Sequence, residues 1–173
     1  MARVFIAVGS NVEPEKNVPE ALRLLDARAR ITGVSTFYLT EPLVRPGQPL
    51  FYNGVVEVET VLKPLELRET VLRPIEKRLK RVRLTDKHAP RTIDLDIIVY
   101  GDIVLDAEGL RLPDHEIQER PFLAQPLFEL APEMILPGTD KPIREIAQSF
   151  LAHGMKALSG FTERLKKGLG IKG

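Results

Sequence analysis

An α+β fold, one mostly antiparallel sheet with helices packed on it, follows from the order in which apolar runs and chain breakers alternate along the sequence. β-branched or apolar runs occupy residues 3–9, 31–40, 55–61 and 92–100, and helical stripes follow Pro14 and Pro64. Pro and Gly separate these segments, so the order reads β, α, β, β, α, β, that of a ferredoxin-like sandwich with its helices on one face. A C-terminal hairpin and further helices come after it. The 173 residues, 43% hydrophobic and 28% charged, have the composition of a soluble globular chain, large enough to bury its own core. We expect a single domain over residues 1–159 and a basic, flexible tail over 160–173.

The elements are justified in order as follows. The run 3–9 closes at Gly9 and reads as a buried strand. Pro14 suits the first turn of a helix, and Val18, Ala21, Leu22 and Leu25 then fall on one stripe that runs to about residue 29. Two strands follow, 31–40 and 55–61, separated by a loop at 41–53 that holds Pro42, Pro46, Gly47 and Pro49; loops of that length are often functional. Pro64 opens a second helix in which Leu72, Ile75 and Leu79 share a face, and Pro74 inside it should kink or break the first part. Residues 92–100 form the next strand, with a hairpin expected through Gly101 and Asp102 into 103–105. Residues 113–119 read as a loop or single turn. Helices are expected near 122–130, ended by Pro132, and where Ile143, Ile146, Ala147, Phe150 and Leu151 share a spacing. From Gly160 the chain is rich in Gly and Lys, which predicts fraying.

Exclusions come from what is missing. With no cysteine, the chain has no disulfide framework, thiolate metal site or cysteine nucleophile. No stretch approaches a membrane span and the first residues are too short for a signal segment, so a cytoplasmic protein that binds no membrane is expected. The net charge of +1 hides an asymmetry: residues 68–91 carry nine Lys/Arg against three acids, a local +6, which leaves −5 for the remainder. Such a run is either a solvated helix face or a surface that meets an anion.

The strand at 92–100 speaks for the anion. Period-2 alternation places Ile93, Leu95, Ile97 and Val99 on one face and Asp94, Asp96, Ile98 and Tyr100 on the other. Two carboxylates at i, i+2 on an otherwise apolar strand repel unless a cation lies between them, and this is how a rigid sheet presents hard oxygen ligands to Mg²⁺. The plainer alternative is a solvated strand end paired with arginine. Arg91 lies three residues before Asp94, and Arg81 and Arg83 lie across a short polar loop, so anion, dication and carboxylates would alternate in charge as phosphoryl transfer requires. Gly9-Ser10-Asn11 alone reads as a strand end and helix entry rather than a phosphate cradle.

Taken together, Gly9-Ser10-Asn11, Phe37-Tyr38-x-Thr40, Phe51-x-Asn53, Arg81-x-Arg83, Pro90-Arg91-Thr92-Ile93-Asp94-Leu95-Asp96 and Pro126-Leu127-x-Glu129-Leu130-Ala131-Pro132 resemble the 6-hydroxymethyl-7,8-dihydropterin pyrophosphokinase family of folate synthesis. The match runs in order from about residue 4 to 135. It implies a magnesium-dependent transfer of pyrophosphate from ATP to the pterin hydroxymethyl group by a monomer acting on small molecules. Asp94 and Asp96 would hold two Mg²⁺ ions, and Arg81 and Arg91 would neutralise the transferred group. Glu76, Arg83, His115 and Arg120 would lie at ATP. Thr40, Leu43 and Asn53 would line the pterin edge, and Phe51 and Phe122 would stack on its ring, a favourable arrangement for a flat heteroaromatic.

Taken without the resemblance, each phenylalanine reads as core, and Glu76 as a helix-surface acid facing Lys80. The chain departs from the family in three places. Asp114 stands where Pro-His is common, so the ATP histidine is either replaced or displaced to His115; His88 occupies a lid position that is aromatic in some members; and Pro74 lies in a helix. Residues 81–90, polar and mutually repelling, are expected to form a lid over the nucleotide. A rival reading is a non-catalytic RNA-binding module that uses 68–91, but that segment lacks the aromatics on which bases would stack.

Overall fold

The computed structural model describes residues 1–43, 47–82, 89–150 and 154–172. Its sheet is antiparallel throughout. β1 (Ala2–Ser10) lies between β5 (Asp94–Tyr100) and β4 (Phe51–Thr60), and the far edge of β4 is shared by β2 (Arg30–Val34) and β3 (Tyr38–Thr40). A two-residue strand, β8 (Lys156–Ala157), extends β3. The expected strand 31–40 is therefore two strands. Between them Ser35 N–H keeps its bond to Val55 O, at 2.9 Å, and Ser35 Oγ accepts from Val55 N–H at 2.9 Å, while the Phe37 backbone bonds to Thr162 and Leu158 rather than to β4.

Helices cover both faces of the sheet, not one. α1 (Pro14–Asp26), α2 (Pro64–Leu67), α3 (Arg73–Arg78) and α6 (Ser159–Leu169) bury Val4, Ile6, Val8, Val56, Val58 and Leu95 on one side. α4 (Pro121–Leu130) and α5 (Ile143–Gln148) cover Phe5, Val55, Ile98 and Val99 on the other. The uninterrupted apolar run of β1 reflects this, because a strand buried on both sides has no polar beat.

Pro74 disturbs the first part of its helix as expected: the α-helical turn Pro64–Leu67 gives way at Arg68–Leu72 to a π turn, with Arg73 N–H reaching back to Arg68 O, and the wide turn absorbs the missing donor. Two local expectations are corrected. The hairpin lies further on. β6 (Leu105–Ala107) pairs with β7 (Leu110–Leu112) about Glu108 and Gly109, whose φ values of 50° and 75° suit a tight primed turn. Nor is the segment from Gly160 frayed. It forms α6, and Phe161 and Leu165 enter the core.

β5 carries a bulge. β1 residues Val4, Phe5 and Ile6 face Tyr100, Val99 and Ile97, so Ile98 has no partner. Beyond it the faces exchange: Tyr100 joins the core under α1, and Val99 the one under α4, the reverse of unbroken alternation. Asp94 and Asp96 lie before the bulge and keep the face the sequence predicts.

Candidate active site

Where α4 begins, the second face of the sheet is open, and a cleft of ≈ 340 Å³ occupies the opening. Its floor is made of small residues. Gly9 pairs with Asn53 on one side and Asp94 on the other, and Ala7 with Val55 and Asp96. A Cβ at Gly9 would come within 2.8 Å of Asn53 Oδ1, so a larger residue there would have to displace the Asn53 amide. Asn53 and Asp94 stand two strand spacings apart, about 10 Å, and define the two ends of the cleft.

The β4 end is a slot. Thr40, Leu43, Phe51, Asn53 and Phe122 all line the cleft, the full set that the sequence assigns to the pterin. Thr40 pairs with Phe51 across the ladder, and Asn53 Nδ2 donates to Thr40 Oγ1 at 2.7 Å, which leaves the amide oxygen for a ligand edge. Both phenylalanines are partly exposed, and Phe122 also packs against the core under α4.

The β5 end is charged. Arg91 Nη1 donates to Asp94 Oδ2 at 2.6 Å, and Arg81 Nη1 donates to Asp94 Oδ1 at 3.0 Å and to Ile93 O at 3.0 Å. Burial works against the charge of Asp94, but Arg91 and Arg81 hold its pKa below the ordinary carboxylate value. Asp96 behaves oppositely. Desolvation, and then the Asp94 and Glu76 carboxylates, push its pKa well above the usual value, with only Arg73, at 3.8 Å, in opposition. Its side chain is 45% exposed to the cleft, which makes it the accessible and under-compensated acid of the pair.

Among the described residues no cluster of three His, Cys, Asp or Glu forms here. Two hard-oxygen carboxylates on a rigid strand, repelling one another, suit Mg²⁺, which keeps several positions for water and phosphate oxygens.

Glu76 stands behind this cluster rather than in the cleft or on the surface. It is 2% exposed, accepts from Leu95 N–H at 3.0 Å and Arg73 Nη1 at 2.8 Å, and lies 3.7 Å from Arg81. It therefore fixes the backbone between the two aspartates. Arg120 lines the cleft as assigned, and its Nε is buried without a hydrogen-bond partner among the described residues. His115 does not line it: its side chain is 55% exposed, while Asp114 and Glu116 do face the cleft. The Asp114 carboxylate caps the short helical turn His115–Gln118 by accepting from Glu116 N–H at 2.9 Å. Arg83, His88 and most of the expected 81–90 lid lie outside the described residues.

Sequence reasoning gave Asn11 no role. Its Oδ1 accepts from Arg91 N–H at 2.7 Å, and its Nδ2 reaches Pro49 O at 3.3 Å, so one buried amide ties the loop beside the slot to the segment that carries Arg91 and leads into β5. Ser10 Oγ donates to Thr92 O at 2.7 Å beside it. The Gly-Ser-Asn turn is thus a brace. Arg73 was also missed, although its position three residues before Glu76 on one helix is a sequence-visible pair.

An amide-edged aromatic slot joined to an arginine–aspartate cluster, on a ferredoxin-like sheet, defines an enzyme of the transferase class. Residues 5–132 match the 7,8-dihydro-6-hydroxymethylpterin-pyrophosphokinase (HPPK) family, and the chain belongs to it: it is a diphosphokinase of folate biosynthesis. It is 37% identical over 162 residues to the 2-amino-4-hydroxy-6-hydroxymethyldihydropteridine pyrophosphokinase of Pseudomonas aeruginosa, covering 91% of this chain and 98% of that one. The enzyme of the same name from Haemophilus influenzae is 35% identical, with 92% and 99% covered. A crystal structure of Plasmodium falciparum HPPK-DHPS shares the fold with a TM-score of 0.68 at 15% identity; the match covers 87% of this chain and 43% of that one.

The RNA-binding alternative finds no support. Both sheet faces are covered by helices, and Arg73, Arg81 and Arg91 are matched by Glu76, Asp94 and Asp96. No helix among the described residues is long and apolar enough to cross a membrane.

Proposed function

We propose that 6-hydroxymethyl-7,8-dihydropterin lies in the slot between Phe51 and Phe122, with Asn53, Thr40 and Leu43 at its edge, and that ATP lies across the β5 end. The observation that carries this reading is that one cleft joins all five slot residues to Arg91, Asp94, Asp96 and Arg120. Asp94 and Asp96 would hold Mg²⁺, two ions with ATP; bound there, the metal supplies charge neutralisation on the phosphates. Arg81 and Arg91 orient Asp94 and oppose the negative charge of the transferred group, and Arg120, which lines the cleft, carries a guanidinium suited to a phosphate oxygen.

The pterin hydroxyl oxygen attacks the β-phosphorus of ATP in line and gives up its proton to solvent, the bond from the β-phosphorus to the oxygen bridging to the α-phosphate breaks, and AMP leaves with that oxygen. A loose transition state of this kind needs positioning and charge compensation more than covalent help. Arg83 belongs with the nucleotide by resemblance. His115, exposed and outside the cleft, contributes at most from its rim. Within the same proposal the protein acts on small molecules as a monomer in the cytoplasm.

Incubation with MgATP and the reduced pterin tests the assignment: AMP and a pterin diphosphate are expected, and ADP as product overturns it. Omission of Mg²⁺, with and without add-back, tests the metal.

A further inference from the structure

We infer that the C-terminal segment, β8 and α6, positions the ring slot from behind the sheet, with Phe161 and Thr162 as its positioning residues. The inference rests on the assignment of that slot to the ring substrate. The segment lies beyond residues 5–132, the part of the chain that matches the family.

The geometry begins where pairing with β4 lapses. β2 leaves the ladder at Val34, opposite Val56, and β3 rejoins it at Tyr38, opposite Asn53. In the gap, Phe37 bonds to the C-terminal segment instead. Its N–H donates to Thr162 Oγ1 at 2.9 Å, and its carbonyl accepts from Leu158 N–H at 2.8 Å. β8 then continues along β3, with Ala157 opposite Tyr38 and Lys156 opposite Leu39, up to the residue before Thr40.

The side chains repeat the arrangement. The Phe37 ring is fully buried and lies so close over Gly54 that a Cβ there would meet it at 2.6 Å. Phe161 packs edge-on against Phe37, with centroids 5.6 Å apart, and against Tyr52, at 5.0 Å. Tyr52 and Gly54 flank Asn53, and Tyr52 alternates with Phe51 and Asn53 across the pleat. The pressure of Phe161 behind β4 therefore sets where Phe51 and Asn53 project in front. α6 packs chiefly on α1 and β2, and among the described residues no hydrogen bond joins it to the carboxylates on β5.

The expected consequence is selective. Thr162→Val, which keeps the shape and removes the acceptor, should raise KM for the reduced pterin about tenfold with kcat and KM for ATP nearly unchanged, the order that a small misplacement of a binding group produces. Thr162→Ser should restore it. Amide exchange at residues 37–40 should quicken in Thr162→Val without ligand. Pterin and ATP constants that move together, or a pterin KM that stays at the wild-type value, would overturn the inference. A wild-type chain that binds MgATP but no pterin would instead refute the slot assignment and the substrate role with it, whereas quickened exchange confined to 37–40 would still report the brace. Thermal melts of both variants show whether either has simply lost its fold.

Discussion

At the β5 end of the cleft three carboxylates, Glu76, Asp94 and Asp96, meet three arginines, 73, 81 and 91, within a few ångströms. At the β4 end, Thr40, Phe51 and Asn53 meet one hydrogen bond and, behind them, the packed rings of Phe37, Tyr52 and Phe161. One end is held by compensated charge that remains unbalanced at Asp96. The other is held by close packing that leaves little to relax. A charged end of the first kind is primed for a dication and anion together, while a packed end suits a rigid flat ligand that should not reorganise its host.

The largest expected effect removes the charge. Asp94→Ala and Asp96→Ala should each cut turnover by roughly a thousandfold or more, as loss of a metal ligand does, yet they should part company in stability. Asp94→Ala removes the nearest carboxylate of Arg81, which is 9% exposed and keeps only the Ile93 carbonyl and the more distant Glu76, and should lower stability by about 1–3 kcal/mol. Asp96→Ala relieves repulsion from Asp94 and Glu76 and should leave the melting temperature level or higher. Equal losses in both melts would break the contrast.

Gly54→Ala attacks the packed end. Its Cβ would overlap the Phe37 ring, which has Phe161 at its back, and a loss of about 1–3 kcal/mol is expected from urea unfolding. Phe122→Ala should weaken pterin binding by about 1–3 kcal/mol and leave nucleotide binding nearly unchanged, as calorimetry with each ligand alone can read. Equal losses for both ligands would mean that the two ends do not act separately.

The smallest effect is a pH dependence of the metal-free protein. Burial, and then the Asp94 and Glu76 carboxylates, make the folded chain hold the Asp96 proton more tightly than the unfolded chain, so the contribution of Asp96 is fully present below the ordinary aspartate pKa, is lost as pH rises from there through the raised folded pKa, and is absent above it; Arg73 tempers the loss. Asp94, held low by arginines 91 and 81, contributes with the opposite sign and loses its pairing as pH falls. Asp96→Asn mimics the protonated acid. Its stability should match wild type in acid and exceed it by about 1 kcal/mol toward neutrality, a figure kept small because Asp96 is partly solvated. A constant difference across pH would contradict the assignment.

The two ends were not equally legible in the sequence. Asp94 and Asp96 declare themselves through a local violation, paired acids on an apolar strand, and period-2 geometry then fixes their face. Phe51 and Phe122 violate nothing, and only the family resemblance distinguished them from core. Glu76 looked like a surface acid because helix periodicity does not show that β5 passes above it. The second helical layer could have been read from the unbroken apolar run of β1, whereas α6 was hidden by its own composition: Gly160, Gly168 and a run of lysines mask a stripe of only Phe161 and Leu165. The Ile98 bulge has no single-sequence signature, since isoleucine fits either side of a strand.

That bulge works as a phase slip in a two-beat strand. Up to Ile97 the chain keeps time with the cleft, and from Val99 onward it keeps time with the core, offset by one residue. The reactive half and the anchoring half of β5 are thereby uncoupled. Were Ile98 instead drawn into the ladder opposite Phe5, the two halves would be forced into a single phase, and either Tyr100 would be expelled from beneath α1 or Asp94 and Asp96 would be driven into the hydrocarbon interior. A change of hydrophobic anchor beyond position 98 can be accommodated without consulting the acids ahead of it, and the acids can be held in place however the anchor drifts.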